Sequence, residues 1–375
     1  MIASAAHGKH VVHVTSAHPW TDNRIHYREC ASLIDAGYSV LLIAVDSPND
    51  GPHIGARLIR LPPRPRLRRM LVGAPHALLL AIKSGALIVH LHDPELIPAI
   101  PLLRFLRRIV IFDSHEDIPD DLDTKSYLPP LVKPFLRILG QLLVRTATLS
   151  SGVISATERI AERFPDSVVV HNYPPLRPEE IIAASAVSRP KAVVYVGGLT
   201  ELRGSRVMMS VLSHELFPPE WHLELAGSGA RELAVMQTLP GWTKVNFHGQ
   251  VAPATARDLI LNSRIGLLLL QDCPAHRTAL PTKLFEYLAA GVPVIASDFP
   301  LWKRIIVDHD CGVLVDQASP SEVAKAVRRY ADDPDLLTRH STNARQLAET
   351  TFNWSNESNA LVAFYDRLSR AGKPR

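Results

Sequence analysis

Lys283 and Glu286 stand three residues apart in the stretch LPTKLFEYLAAGVPVIASDFP, Leu280 to Pro300. On a helix that spacing makes them surface neighbours. Thr282 follows Pro281 where a helix start belongs, and a helix N-terminus offers unpaired N–H groups to an anion. A cation, a dipole end and a carboxylate on one helix suit a nucleoside diphosphate, with phosphate at the N-terminus and ribose hydroxyls on Glu286. An ordinary amphipathic helix with a surface ion pair fits the same spacing, which by itself leaves both readings open. Leu284, Phe285, Leu288 and Ala289 form the apolar face that would hold this helix in place. Gly291 ends it with Pro293 just behind. Val294 to Ala296 then read as a short buried strand closed by Ser297 and Asp298, and ligands of open parallel sheets bind at that carboxyl edge.

Other strands also end in groups that prefer water. Ala86–Leu91 runs into His92, Asp93, Pro94 and Glu95, and Ile109–Phe112 runs into Asp113, Ser114, His115, Glu116 and Asp117. Stopping a buried strand in His, Asp and Glu is costly without a use. His115 is a candidate general acid/base or sugar-hydroxyl contact; helix capping accounts for Asp93 or Asp117 taken alone. The first strand, His10–Thr15, leads into a loop with His18, Asp22 and Arg24. A helix over Ile25–Ala36 with Gly37 as its cap follows, then a strand over Val40–Val45, which together make a βαβ unit and a parallel sheet. The second half repeats the theme. Ala192–Val196 ends in Gly197 and Gly198, with Arg203 and Arg206 close behind as phosphate partners. His222–Ala226 ends in Gly227, Ser228 and Gly229, Val245–His248 in Gly249, and Ile265–Leu270 in DCPAHRTALP. Glycines at every strand end weaken local structure, and their repetition favours a site over packing. Three DxD triplets, Asp121–Asp123, Asp308–Asp310 and Asp333–Asp335, read as surface turns.

A chain of 375 residues, 46% hydrophobic and 21% charged, fits two α/β domains with large cores. The Pro-rich polar segment up to Pro190 reads as their boundary. A net charge of +4 and a pI near 9.0 suit phosphates or an anionic membrane surface and fall short of a dedicated nucleic-acid binder. Cys30, Cys273 and Cys311 form no CxxC pair, so a disulfide framework or cysteine zinc site is not expected, and the reading is a reduced, cytoplasmic protein. The loop after the first strand, SAHPWTDNR, lacks the GxGxxG turn, which counts against a dehydrogenase. No 18-residue uncharged apolar run occurs. Two basic, Leu-rich stretches, Arg57–Arg69 with Met70, Leu71 and Val72, and Leu128–Leu149 with Lys133, Arg137 and Arg145, are candidates for contact with anionic lipid. A solvated loop explains the first equally simply, and core packing explains most of the second.

HVTSAHPWTDNRIHYRECASLIDAGYSV, HDPELIP, IFDSHED, YVGGLTELRG and PTKLFEYLAAGVPVIASD together resemble the bacterial polysaccharide branch of glycosyltransferase family 4 over nearly the whole chain. The resemblance implies the GT-B fold. An acceptor-binding Rossmann-like domain over 1–173 and a linker over 174–190 would precede a nucleotide-sugar domain over 191–351. A helix over 352–375 would cross back to the first domain. It implies retaining transfer from a nucleoside-diphosphate sugar without a metal, to a glycan or lipid-linked acceptor, by a cytoplasmic or peripheral membrane protein. Glu286 matches the second Glu of the family's E-x7-E, Arg203 a diphosphate-holding basic residue, and His115 a histidine near the donor sugar. Catalytic roles then fall to His115, Arg203 and Lys283. Donor contacts fall to Gly197, Gly198, Arg203, Gly227, Gly229, Val251, Thr278, Ala279, Leu280, Thr282, Lys283 and Glu286. Acceptor contacts fall to His18, Asp22, Arg24, His92, Asp93 and Glu116. The chain departs from the family at Thr278, where the first Glu belongs, and at Gly198, where an Arg is usual. Rival readings are a nucleotide-sugar epimerase or hydrolase and a non-catalytic nucleotide-sugar binder.

Overall fold

The computed structural model describes residues 9–47, 51–115, 133–176 and 186–371. Two compact units result, one from Met1–Asn172 with Trp354–Arg375, the other from Tyr173–Asn353. In the first, β1 (His10–Pro19), β2 (Ser39–Val45), β3 (Arg57–Leu61), β4 (Ile88–Leu91), β5 (Ile109–Ser114), β6 (Gly152–Ser155) and β7 (Val168–Val169) form one sheet. Its order is β3-β2-β1-β4-β5-β6-β7, and all its pairs are parallel. The chain builds outward from β1 to β3, then restarts at β4 on the other side. The switch point therefore lies between β1 and β4. Alternation along these strands sorts the faces. Val12, Val14, Val89, Leu91 and Phe112 enter one core beneath the helices Ala74–Lys83, Ile100–Phe105 and Lys133–Ala147. Val11, Ile88 and Ile111 enter the other, beneath Ala31–Asp35 and the C-terminal helix Trp354–Ala371. His13, His90, His92 and Asp113 follow the second parity.

The second unit carries β8 (Ala192–Val196), β9 (His222–Ala226), β10 (Val245–Phe247), β11 (Ile265–Leu268), β12 (Val294–Ser297) and β13 (Gly312–Val315), again parallel, in the order β10-β9-β8-β11-β12-β13. Here the switch point lies between β8 and β11. The helix Thr282–Ala289 buries Leu284, Phe285, Tyr287, Leu288 and Ala289, and Gly291 closes it at φ +58°, a left-handed conformation that glycine adopts freely.

Three strands, β3, β6 and β13, escape the sequence reading, and β1 runs on to Pro19 where a loop was expected from His18. The basic stretch Arg57–Arg69 begins as edge strand β3 and continues into a short helix, Arg66–Arg68. The helix expected over Ile25–Ala36 opens instead as a wide π-type turn, Ile25–Cys30, in which the Glu29 N–H donates to the Arg24 carbonyl at 2.9 Å. Asp333 caps the helix Pro334–Thr350 through the Leu336 N–H, and Asp310 pairs with Arg339 and His340, so these two DxD triplets are structural. The third, Asp121–Asp123, lies outside the described residues.

Candidate active site

At the switch point of the second unit, β8 runs into Gly197 and Gly198. A Cβ at Gly197 would stand 2.4 Å from Lys283 Cε and Nζ, and one at Gly198 would stand 3.2 Å from an Arg203 guanidinium nitrogen. Two cations thus lean into the space that side chains at this turn would fill. Gly197 has φ +146°, and a Cβ at Gly227 would collide with the Gly197 carbonyl at 1.8 Å, so both positions require glycine. Tyr195 fixes the turn, its hydroxyl donating to the Gly198 carbonyl at 2.9 Å, and its ring lies 5.0 Å from Lys283 Nζ. Burial, then repulsion from Arg203, pulls the Lys283 ammonium down to about 8, with Glu286 acting in the opposite sense. Neither cation is ion-paired to a carboxylate among the described residues. Pro281 caps the helix Thr282–Ala289 without a side-chain hydrogen bond; the Leu284 N–H donates to the Pro281 carbonyl at 3.0 Å, and the N–H groups of Thr282 and Lys283 remain open to a ligand. Two bare cations beside an uncapped helix start make an anion site.

Arg206 and Arg277 are spoken for. Arg206 reaches Glu232 at 3.1 Å and Glu201 at 3.2 Å, and Arg277 bonds Asp272 at 2.6 and 2.5 Å. Ala279 is also engaged, donating to His276 and accepting from Trp302 Nε1 at 2.8 Å.

In the first unit the switch point is tied across by Asp93, which accepts from Thr15 Oγ1 at 3.1 Å and from the Ser16 N–H at 2.5 Å. Beneath it lies a buried charged network. Arg24 binds Asp113 with both fork nitrogens, at 2.9 and 3.1 Å, reaches Glu29 at 2.9 Å and donates to the Val170 carbonyl at 2.8 Å. Asp113 also takes His115 Nε2 at 2.6 Å and faces His92 Nδ1 at 3.4 Å. Arg24 and His115 beside it hold the Asp113 carboxyl well below its usual range despite its burial. With Nε2 held by Asp113 and its side chain 18% exposed, His115 is oriented as an acid/base would need to be. His18 completes the rim, 3.5 Å from Asp22 and 3.6 Å from Asp93, with its ring 5.6 Å from that of His115.

Comparison with known proteins agrees with this architecture. The family described as Glycosyl transferases group 1 matches residues 177–347, and that described as Glycosyl transferase 4-like domain matches residues 23–175. The chain is a glycosyltransferase. It belongs to the family 4-like enzymes with the two-domain GT-B fold. Over 362 residues it is 23% identical to phosphatidyl-myo-inositol mannosyltransferase of Mycolicibacterium smegmatis, spanning 91% of this chain and 88% of that protein. A D-inositol 3-phosphate glycosyltransferase of Corynebacterium jeikeium is 27% identical over 196 residues, 49% of this chain and 45% of that one. Among solved structures, sucrose-phosphate synthase from Thermosynechococcus elongatus superposes with a TM-score of 0.73 at 17% identity, covering 97% of this chain and 100% of the other. Anabaena HepE in complex with UDP-glucose superposes at 0.68 and 14%, covering 96% and 99%.

In the glycosyltransferase, Gly197, Gly198, Arg203 and Lys283 come together around one turn, and Glu286 is half-buried on the same helix as Lys283. Gly229 backs the Gly197–Leu199 segment, its missing Cβ leaving room for the Leu199 carbonyl. Thr278 is exposed at the end of the short helix Pro274–Arg277, and Leu280 and Thr282 flank the helix start. Val251 lies half-buried in the loop before Pro253–Leu261. The departure at Gly198 has a physical reading: without a side chain there, Arg203 folds into the place an Arg at 198 would occupy. Arg24, His92 and Asp93 were expected at acceptor contacts. All three are buried, with Arg24 committed to Asp113 and Asp93 to the β1 backbone, so they are placed to position neighbours. His18 and Asp22 are partly exposed, and Glu116 lies outside the described residues. Tyr195, His13, Glu29, His90 and Tyr365 went unnoticed in sequence; only the polar residues at inward strand positions, Tyr195, His13 and His90, carried a signal.

Proposed function

We propose that this enzyme transfers a sugar, with retention at the anomeric carbon, from a nucleoside-diphosphate sugar to a glycan or lipid-linked acceptor of cell-surface polysaccharide synthesis. The observation that carries this reading is the convergence of Lys283 and Arg203, bare of carboxylates, on the Gly197–Gly198 turn. The bond from the anomeric carbon to the diphosphate oxygen breaks, the bond to the acceptor oxygen forms on the same face, and the acceptor proton passes to the departing diphosphate. Lys283, Arg203 and the open helix N-terminus stabilise the charge growing there, a role that asks nothing of a metal. Glu286 receives the ribose hydroxyls, while His115 and His18 offer imidazole nitrogens to sugar hydroxyls. Two inositol-directed relatives act on small or lipid-borne acceptors by name, which supports the acceptor class.

A thermal-shift panel of UDP-, GDP-, ADP- and dTDP-sugars tests the donor. One of them at about a hundred times its Kd should stabilise the native protein by about 2.7 kcal/mol, with Glu286→Ala losing most of the response. Glycoside product whose anomeric proton coupling matches the donor completes the reading. Free sugar or epimer without acceptor would instead favour the hydrolase or epimerase, and binding without turnover the non-catalytic protein.

The acceptor side has its own support. Among the described residues no helix is long and apolar enough to cross a membrane. Yet the helices on one face of the first unit expose Leu71 (75%), Phe105 (84%), Phe135 and Ile138 (66% each), next to Arg66, Arg68, Arg104 and Arg145. We infer peripheral docking on anionic lipid. In vesicle sedimentation, phosphatidylglycerol should bind the protein and neutral phosphatidylcholine should not, with 0.5 M salt or Leu71→Glu/Phe135→Glu weakening binding about tenfold or more. Equal binding to both vesicles would end the idea.

A further inference from the structure

His13 on β1 and His90 on β4 are direct partners across the central pair of strands, and His92 follows two positions on, on the same face. Glu29 enters from above. In an α-helix, residues five apart point about 140° away from each other; the π-type turn over Ile25–Cys30 brings Arg24 and Glu29 round to the same side. One donor atom each from His13, Glu29, His90 and His92 lie within 4.8 Å of one another, and all four side chains are fully buried. His13 Nδ1 is 2.9 Å from His92 Nε2 and 4.0 Å from Glu29 Oε2. A tetrahedral ion with bonds of 2.0–2.1 Å has an edge of about 3.3 Å between ligand atoms, which those two distances bracket.

The other side of each ligand is already held. His90 Nδ1 meets the Tyr365 hydroxyl at 2.6 Å, which also lies 3.3 Å from His13 Nε2; His92 Nδ1 faces Asp113; Glu29 Oε1 faces Arg24 at 2.9 Å. Outer partners of this kind fix ring orientation and tautomer in metal sites. What remains is unmatched: His90 Nε2 is buried without a hydrogen-bond partner among the described residues, and Glu29 Oε2 has nothing nearer than His13 Nδ1 at 4.0 Å. Such orphans cost stability unless something not yet counted satisfies them.

We propose that His13, Glu29, His90 and His92 bind one divalent transition metal ion of zinc type, a closed structural site in the core of the first unit. Three imidazoles and a carboxylate are borderline ligands that suit zinc over calcium or magnesium. The site is independent of the donor chemistry in the second unit, and no step of the transfer passes through it.

The test uses the full-length, tag-free protein produced with added Zn²⁺. Elemental analysis after gel filtration should give about one zinc per chain, with His90→Gln and Glu29→Gln below a tenth. Chelator treatment should lower the melting temperature, added Zn²⁺ should restore it, and Co²⁺ should give the visible bands of a tetrahedral centre. Tyr365→Phe, which keeps the shape of the core, should weaken Zn²⁺ binding roughly 10–100-fold. It serves if His90→Gln does not fold. Less than a tenth of an equivalent in the native protein with no thermal response to Zn²⁺, or zinc retained by His90→Gln, overturns the proposal and leaves Glu29 and Asp113 sharing a proton. The donor-induced thermal shift should survive in every folded variant, so the two proposals fail separately.

Discussion

Replacing Lys283 with methionine should make the ligand-free protein melt a few degrees higher and yet lower kcat/KM for donor about 10²–10³-fold at pH 7. Both effects have one cause. The ammonium is held at about 8, against 10.5 in an unfolded chain, because it is half-buried beside Arg203. The folded state therefore binds its proton less tightly than the unfolded state, and the charged form costs stability below pH 8. That penalty fades as pH rises from about 8 to 10.5 and is gone above it. Allowing for solvent screening it amounts to about 1–2 kcal/mol, which methionine would release while keeping most of the packing. On the proposed reading donor diphosphate relieves the same repulsion, so the loss of activity would measure charge stabilisation of the leaving group. Melting curves at pH 7 and pH 10.5 check the first half: the advantage should be present at the former and absent at the latter. Activity in the free native enzyme should decline above about pH 8. A methionine variant within threefold of native activity would remove Lys283 from the diphosphate site.

Asp113→Asn should be the most damaging single change in the first unit, at about 3–5 kcal/mol. The amide cannot accept from both nitrogens of Arg24, and its own N–H₂ would face a guanidinium that is 4% exposed. His115 loses its 2.6 Å anchor in the same stroke. The Asp113 carboxyl titrates well below 3.8, so its contribution is complete at neutral pH and is lost only as pH falls through its depressed value in the fold. The deficit of the Asn variant should accordingly be constant from pH 6 to 8 and shrink only in strong acid. If His115 works on the sugars, kcat should fall about a hundredfold or more while the donor-induced thermal shift of the second unit persists. An unchanged kcat in a folded Asn variant would make Asp113 and His115 purely structural.

The glycine turn and helix of the second unit were readable because their signals are local. Pro281, Lys283, Glu286, Gly291 and Pro293 define a helix, its charges and its stop within a few residues of one another, and the glycines after β8 and β9 announce close backbone approach. The family resemblance supplied the roles. The first unit resisted because its key contacts are set by register. His13 and His90 sit inside VVHV and IVHL as single polar residues of buried strands, and only the pairing of β1 with β4 brings them together. Tyr365 lies 352 residues from His13 in sequence and meets it through the packing of the last helix. Arg24 read as a ligand contact because its position at a strand end is correct; the π-type turn that rotates it inward leaves no mark in composition. Strands β3 and β6 stayed hidden for a simpler reason. RLIRL looks like a basic loop until an edge strand needs it, and GVIS is too short to stand out.

The first unit is assembled from both ends of the chain, with the second inserted between Asn172 and Trp354. During synthesis the inserted unit is therefore complete before its host. At about 5–20 residues per second, the strands of the first unit wait on the order of ten to forty seconds for the helix Trp354–Ala371 that closes one face of their sheet. Through that interval the histidines and the Arg24–Asp113 pair remain open to water. The nascent chain can hold a finished second unit while the first is still a half-built sheet, and the arrival of that helix is what seals it.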